Sequence, residues 1–222
     1  MERFPSRLSD GYATFMRGRY LSEADRYRRL AERGQSPKTM LIACCDSRAT
    51  PETIFNAGPG ELFVVRNVAN LVPPFAPDGQ NHGTSAAIEF AVQSLKIREI
   101  VIMGHGNCGG IHAALNNTGT RPASDFIGKW MGMIWAAAEE VSSYKSMTPT
   151  ERQRALEHIS IRASIKNLLT FPEIYSLYQQ EKFSLFGAWF DISTGELWVA
   201  DSKDGDFHRL STFDAEDKAV RS

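Results

Sequence analysis

Residues 99–110 read Glu99-Ile-Val-Ile-Met-Gly-His105-Gly-Asn-Cys108-Gly-Gly110, and this stretch decides the fold. Its first half, 99–104, is a short apolar run rich in β-formers, the pattern of a buried strand. Its second half turns at once polar and glycine-rich. The same construction occurs earlier, where 39–43 (Thr-Met-Leu-Ile-Ala) runs into Cys44-Cys45-Asp46-Ser47-Arg48. A further apolar run, 61–66, lies between the two. Residues 84–96, with Ala87, Phe90, Ala91 and Leu95 at helical spacing, separate it from the run at 99. Strands alternating with helices imply right-handed βαβ crossovers and an α/β fold with a mostly parallel central β-sheet flanked by helices.

Outward from this centre the pattern changes. Beyond His112 the chain reads as helix over 125–144, 149–170 and 172–180, with Ser124 as one N-cap and Thr148-Pro149 as cap plus first-turn proline at another. Residues 185–192 and 196–200 flank Ser193-Thr194-Gly195, a C-terminal β-hairpin signal. Before residue 39 the sequence predicts two amphipathic helices. Leu8, Tyr12 and Met16 share one face, and Arg26, Arg28 and Arg29 are expected on a solvated face. No Pro-, Gly- or Ser-rich linker divides the chain, so 1–222 is expected to be one domain with 1–38 as a helical arm.

Composition narrows the function. Among 222 residues, Lys+Arg number 25 and Asp+Glu 26, a net charge of −1. That balance points to neither a nucleic-acid nor an anionic-membrane partner. No apolar run reaches the roughly 18 residues of a membrane span. The first 39 residues carry nine Lys/Arg against five Asp/Glu, but acids spread throughout argue against a transit peptide, and no apolar core of a signal peptide is present. The three cysteines, Cys44, Cys45 and Cys108, are odd in number and two are adjacent, a poor disulfide framework. Free thiols fit a reducing, cytoplasmic-type compartment and leave an organelle open.

In open α/β sheets, ligands bind beyond the carboxyl ends of the strands. There the sequence places Cys44, Asp46 and Arg48 after one strand and His105 and Cys108 after another. Cys44, His105 and Cys108 are three ligands of the type zinc favours, with the fourth position left for water or Asp46. A rival set, His105, Cys108 and His112, shares one helix but leaves Cys44 unexplained and crowds that helix. Cys45 faces away from Cys44 on extended backbone and reads as a small buried bystander. His82, His158 and His208 have no clustered partners in sequence. Asp46 and Arg48, two apart, project to the same side, where the guanidinium can grip the carboxylate and keep it off a metal. Gly109-Gly110 opens a helix whose exposed N–H groups suit an anion.

Cys44-x-Asp46-Ser47-Arg48 followed by His105-x-x-Cys108-Gly109-Gly110 resembles the β-class carbonic anhydrases. The similarity extends over most of the chain. Gly34-Gln35-Ser36-Pro37-Lys38, Phe63-Val64-Val65-Arg66-Asn67, Ala69-Asn70-Leu71-Val72-Pro73-Pro74 and Ala86-Ala87-Ile88-Glu89-Phe90-Ala91 resemble the plant-type branch, as does Phe190-Asp191 followed by Gly195 and Leu197. The resemblance implies one Zn2+ per chain on Cys44, His105 and Cys108, with Asp46 and Arg48 as a catalytic dyad and Asp46 as alternate fourth ligand in a closed state. It implies that Gln35 donates a hydrogen bond to substrate or bicarbonate, that Phe63, Val68 and Phe90 shape an apolar CO2 pocket partly contributed by a second subunit, and that Gly109 borders it. It further implies a homodimer, or a tetramer or higher assembly of dimers, embraced by the N-terminal helices. The family's allosteric branch uses a Trp, an Arg and a Tyr for a second bicarbonate site. Arg66 is present, but Leu41 and Phe190 stand at the other two positions, so no such regulatory site is expected and the catalytic site is expected open at neutral pH.

The activity expected on this basis is reversible hydration of CO2 to bicarbonate and a proton, by zinc-held hydroxide aimed by the dyad. One alternative is a hydrolase of carbonyl sulfide or carbon disulfide on the same fold. Another is a non-catalytic, zinc-containing bicarbonate-sensing module, in which the Asp46–Arg48 pair would have little use.

Overall fold

The three apolar runs become adjacent parallel strands. A computed structural model describes residues 4–116, 126–201 and 204–211. In chain order, Ser6–Arg17 (α1) and Arg19–Arg33 (α2) precede Thr39–Cys44 (β1), Pro51–Ile54 (α3) and Leu62–Asn67 (β2). Gly83–Glu89 (α4), Glu99–His105 (β3), Gly109–Asn116 (α5), Ile127–Met131 (α6), Trp135–Ser143 (α7), Pro149–Leu168 (α8) and Pro172–Gln179 (α9) follow. The chain then adds Ser184–Phe190 (β4), Leu197–Ala200 (β5) and Phe207–Arg209 (β6).

These strands form one sheet of order β2-β1-β3-β4-β5-β6, the first four parallel and the last two antiparallel. The expected hairpin is present, but its first strand also pairs with β3 as a fourth parallel strand, and β6 extends it further. From β1 the chain moves outward to β2, then crosses back over β1 to β3, which leads to β4. The strand order therefore reverses between β1 and β3, and a crevice opens at their carboxyl ends.

The sheet is buried on both faces at its centre. Met40, Ile42, Ile100, Ile102 and Trp189 join Ile88, Ile161 and Ile174 on one side, while Leu41, Ala43, Met103 and Ala188 cluster on the other. Two-sided burial is why β1 and β3 read as continuous apolar runs rather than alternating ones. The long helix α8 starts with a capping box. Thr148 Oγ1 accepts from Glu151 N–H at 3.2 Å, and Glu151 accepts from Thr148 N–H at 2.7 Å. It presses so closely on the sheet that a Cβ at Gly104 or Gly187 would lie 2.8 or 2.9 Å from Ile161. That contact fixes α8 against β3 and β4.

Three helical expectations change in detail. The stretch 125–144 is not one helix, because α6 and α7 are separated by a tighter turn over Gly132–Ile134, and glycine is a weak helix former. Ser124 and Asp125 lie outside the described residues. The helix expected over 84–96 stops at Glu89 and continues as a wider turn, in which Leu95 N–H donates to Phe90 O at 3.1 Å. In the arm, α1 and α2 bury no residue and cluster Phe15, Tyr20 and Tyr27 between them. Arg26 is not merely solvated. It donates to Pro59 O at 2.8 Å and pairs with Glu61 at 2.7 Å, tying α2 to the loop before β2.

Candidate functional site

The ligating atoms of Cys44, His105 and Cys108 all lie within 4.8 Å of one another, and all three residues are buried. Cys44 ends β1 and His105 ends β3, so the reversal of strand order brings them together. Cys108 stands just before α5 and its sulfur lies 3.9 Å from that of Cys44. Backbone N–H groups of Asp46 and Ala69 face the Cys44 sulfur, and those of Gly110 and Ile111 face Cys108. These donors favour thiolates. Cys108's thiol, directed at Cys44, holds the Cys44 thiol well below the usual range. The Cys44 sulfur and burial push Cys108 up. Ala69 adopts left-handed backbone (φ 61°) while fully buried beside Cys44, a strained conformation of the kind found at functional sites.

His105 supplies the fit test for a metal. Its Nδ1 faces Gly106 O at 2.9 Å, so that nitrogen carries the proton. Its Nε2 is buried and has no hydrogen-bond partner. An imidazole nitrogen with its lone pair aimed at two sulfurs is a ligand in waiting, and two thiols plus one imidazole form a donor set suited to zinc. His112 is excluded from this group by geometry. It is exposed on α5, where Asn116 Nδ2 donates to its Nε2 at 2.7 Å.

Asp46 is held as the spacing predicts. Arg48 Nε donates to Oδ1 at 2.9 Å, Arg48 Nη2 to Oδ2 at 2.8 Å, and the Arg48 N–H to Oδ1 at 3.0 Å. The guanidinium keeps the Asp46 carboxyl far below the usual carboxylate range. Asp46 Oδ2 lies 3.9 Å from His105 Nε2, beside the ligand group rather than in it. Arg66 has a role not foreseen from sequence, donating to Cys44 O at 2.9 Å and Asp46 O at 2.6 Å. It fixes the turn that presents ligand and carboxylate together.

The expected substrate residues are placed unevenly. Phe63 and Phe90 meet with ring centres 6.0 Å apart, and Phe90 stays 47% exposed. Val68 lies on an open groove of about 960 Å³ with Pro73, Pro74 and Trp130. A Cβ at Gly109 would meet nothing, whereas one at Gly110 would lie 2.9 Å from Val68 Cγ1. Gln35 is exposed and precedes β1, so it lies beyond the sheet edge opposite Cys44, and a single chain does not bring it to the ligands. Cys45 is outside the ligand group as expected, but it is exposed on the groove rather than buried. His82 pairs with Asp78 at 2.7 Å, and His158 stacks on Phe207. His208 does have clustered partners, since it forms an exposed group with Asp201 and Asp204.

Sequence reading missed a polar group behind Cys108. Glu157, 2% exposed, accepts from Cys108 N–H at 3.0 Å, from Gln153 Nε2 at 2.7 Å and from Trp189 Nε1 at 3.0 Å. Burial pushes its pKa up. The one sequence signal was that Gln153 and Glu157 fall on the stripe Leu156, Ile161 and Leu168 that α8 buries.

Residues 39–197 match the family model described as carbonic anhydrase. A carbonic anhydrase of Pseudomonas aeruginosa is 34% identical over 215 residues, covering 97% of this chain and 94% of that protein. The chloroplastic beta carbonic anhydrase 5 of Arabidopsis thaliana is 34% identical over 197 residues, 87% of this chain, and the match spans 64% of that protein's length. Among solved structures, the β-carbonic anhydrase CcaA superposes with a TM-score of 0.85 at 30% identity, covering 93% of this chain and 92% of that one. A tetrameric β-carbonic anhydrase of Sordaria macrospora gives a TM-score of 0.73 at 29% identity, covering 91% and 97%.

Proposed function

Given that the chain belongs to the β-class carbonic anhydrase family, we propose that it catalyses the reversible hydration of carbon dioxide to bicarbonate and a proton, using one zinc ion per chain. Cys44, His105 and Cys108 are the proposed ligands. The observation that carries this reading is the unpartnered, buried His105 Nε2, aimed with two thiols at one point beside a restrained carboxylate. Zinc bound there supplies a Lewis acid that makes water a nucleophile near neutral pH.

The chain's own residues do the rest. Asp46 accepts a hydrogen bond from the attacking water and so aims its lone pair. Arg48 occupies both carboxylate oxygens, which keeps Asp46 an ionised acceptor and opposes its rotation into the fourth ligand position. Phe63, Val68 and Phe90 would offer an apolar wall to a substrate without charge, with part of that wall coming from the partner subunit. The N-terminus of α5 at Gly109 favours the anionic product. Two thiolate ligands donate more charge to a metal than imidazoles do, so activity is expected to rise toward alkaline pH.

The proposed working unit is a homodimer or an assembly of dimers, with Gln35 contributed to the site of the partner. An arm with no buried residue, carrying Leu8 at 44% and Tyr12 at 62% exposure, supports it, as does the exposed Phe90. We read residues 1–222 as one such unit, supported by the single continuous sheet. No helix among the described residues is long and apolar enough to cross a membrane, and a reducing, cytoplasmic-type compartment suits the free thiols. Zinc analysis together with a CO2 hydration assay on the same sample tests the reading.

A further inference from the structure

Cys108 is buried in a core cluster with Ile111 and Leu156, on a loop that borders a cleft on one side. Asn107, just before it, sits in left-handed backbone (φ 55°). Gly106 and Asn107 border a cavity of about 260 Å³ whose other walls include Gln153, Glu157, Arg154 and Trp189. Gly106 packs closely on Trp189, and at Cys108 itself hydrogen bonds from α8 add to that packing. Glu157 Oε1 accepts the Cys108 N–H at 3.0 Å, and Gln153 Nε2 donates to Cys108 O at 3.1 Å. Gln153 Nε2 also donates to Glu157 at 2.7 Å, and Trp189 Nε1 anchors the second carboxylate oxygen at 3.0 Å. Residues 153 and 157 are i, i+4 on one helix face, so both polar groups of one metal-ligand residue are gripped by one rigid element. The Cys108 carbonyl also receives the first helical bond of α5, from His112 N–H at 2.9 Å.

We propose that Gln153 and Glu157 are positioning residues that clamp the backbone of Cys108 and thereby aim its thiolate for metal capture. The clamp rests on the zinc reading above and deepens it. Groups that orient ligands from behind are worth about 10–100-fold in metal affinity or activity. Without the clamp, the Cys108 N–H and carbonyl lose their bonds to α8, and the thiolate loses its fixed direction relative to Cys44 and His105.

The test uses the full-length chain and the variants Gln153→Met and Glu157→Gln. Gln153→Met keeps volume and leaves Glu157 bonded to Cys108 N–H and Trp189, so it probes the clamp with the fold intact. Zinc affinity is read by chelator competition, and cobalt(II) substitution reads thiolate-to-metal charge transfer per bound ion. The expected result is zinc binding weakened about 10–100-fold with an altered cobalt spectrum in both variants, while the thermal midpoint of the metal-free chain stays at the wild-type value for Gln153→Met. Wild-type zinc affinity in Gln153→Met overturns the proposal. So does weakened zinc with an unchanged cobalt spectrum, because that signals general destabilisation rather than a displaced ligand. If Glu157→Gln does not fold, Gln153→Met decides alone. A wild-type chain that binds no zinc would remove the zinc reading and the clamp with it. A wild-type chain that binds zinc and hydrates CO2 beside unaltered variants would remove the clamp alone.

Discussion

Asp46 and Arg48 are joined by two parallel hydrogen bonds of 2.9 and 2.8 Å, and the same carboxylate stands 3.9 Å from the unpartnered Nε2 of His105. One side chain is thus restrained by its neighbour at the edge of the proposed metal site. Asp46→Ala and Arg48→Ala should each lower turnover by about 10–100-fold or more with zinc content unchanged. Initial-rate measurements alongside metal analysis check this. Loss of zinc in Asp46→Ala would make the carboxylate a ligand instead of an orienting group.

The ligand set makes a stoichiometric prediction. Cys44→Ser and His105→Ala should lose tightly held zinc. Cys45→Ser and His112→Ala should retain one ion per chain, because Cys45 lies on the groove and His112 is bonded to Asn116. Elemental analysis after dialysis distinguishes them.

The two glycines that open α5 should respond differently. A Cβ at Gly110 would lie 2.9 Å from Val68 Cγ1 and 3.3 Å from Ala69 Cβ, side chains of the turn beside Cys44. Gly110→Ala should cost about 1–3 kcal/mol, the usual penalty of overpacking. Gly109→Ala meets nothing and should be neutral or slightly stabilising, by up to about 1 kcal/mol. Denaturant unfolding curves measure both.

His158 sets a pH window for stability. Burial, with Arg162 and Arg154 nearby, pulls its pKa down to about 4, against about 6.5 in an unfolded chain. Between those values the unfolded chain binds the proton and the folded chain does not. Stability should therefore fall as pH drops from about 6.5 toward 4, by at most about 2.5 kcal/mol at pH 4.5. His158→Phe should flatten that slope. Unfolding free energies at several pH values across the window give the comparison.

The arm predicts assembly. Leu8→Glu with Tyr12→Glu places charge on an apolar face that its own chain leaves exposed. Sedimentation should show dimers or larger assemblies for the wild type and smaller species for the variant, with turnover falling in parallel if Gln35 serves the partner's site.

The central fold was legible because each apolar run and its reactive loop are contiguous in sequence. Cys44 and His105 could be placed at one sheet edge as soon as 39–43 and 99–104 were read as parallel strands. What was not legible depends on contacts formed only on folding. Glu157 meets Cys108 across 49 positions of sequence, and Arg66 reaches the carbonyls of Cys44 and Asp46 because β2 pairs beside β1. Beyond Glu157's place on the buried stripe of α8, nothing local marks what either residue contacts. The break between α6 and α7 at Gly132 lost to a run of helix-formers on both sides. Cys45 is exposed because it stands one residue past the end of β1, where the groove opens, a placement that its small apolar character does not signal. Gln35 matched a motif, yet its position beyond the far sheet edge shows that a motif does not by itself place a residue at its own chain's site.

The most direct test of the central claim is stopped-flow CO2 hydration on zinc-analysed protein, with Cys44→Ser as control and carbonyl sulfide as the competing substrate. The account predicts one zinc per chain, rapid CO2 hydration, and loss of both in Cys44→Ser. A chain that holds zinc on Cys44, His105 and Cys108 but fails to hydrate CO2, or that turns over carbonyl sulfide in its place, would contradict it.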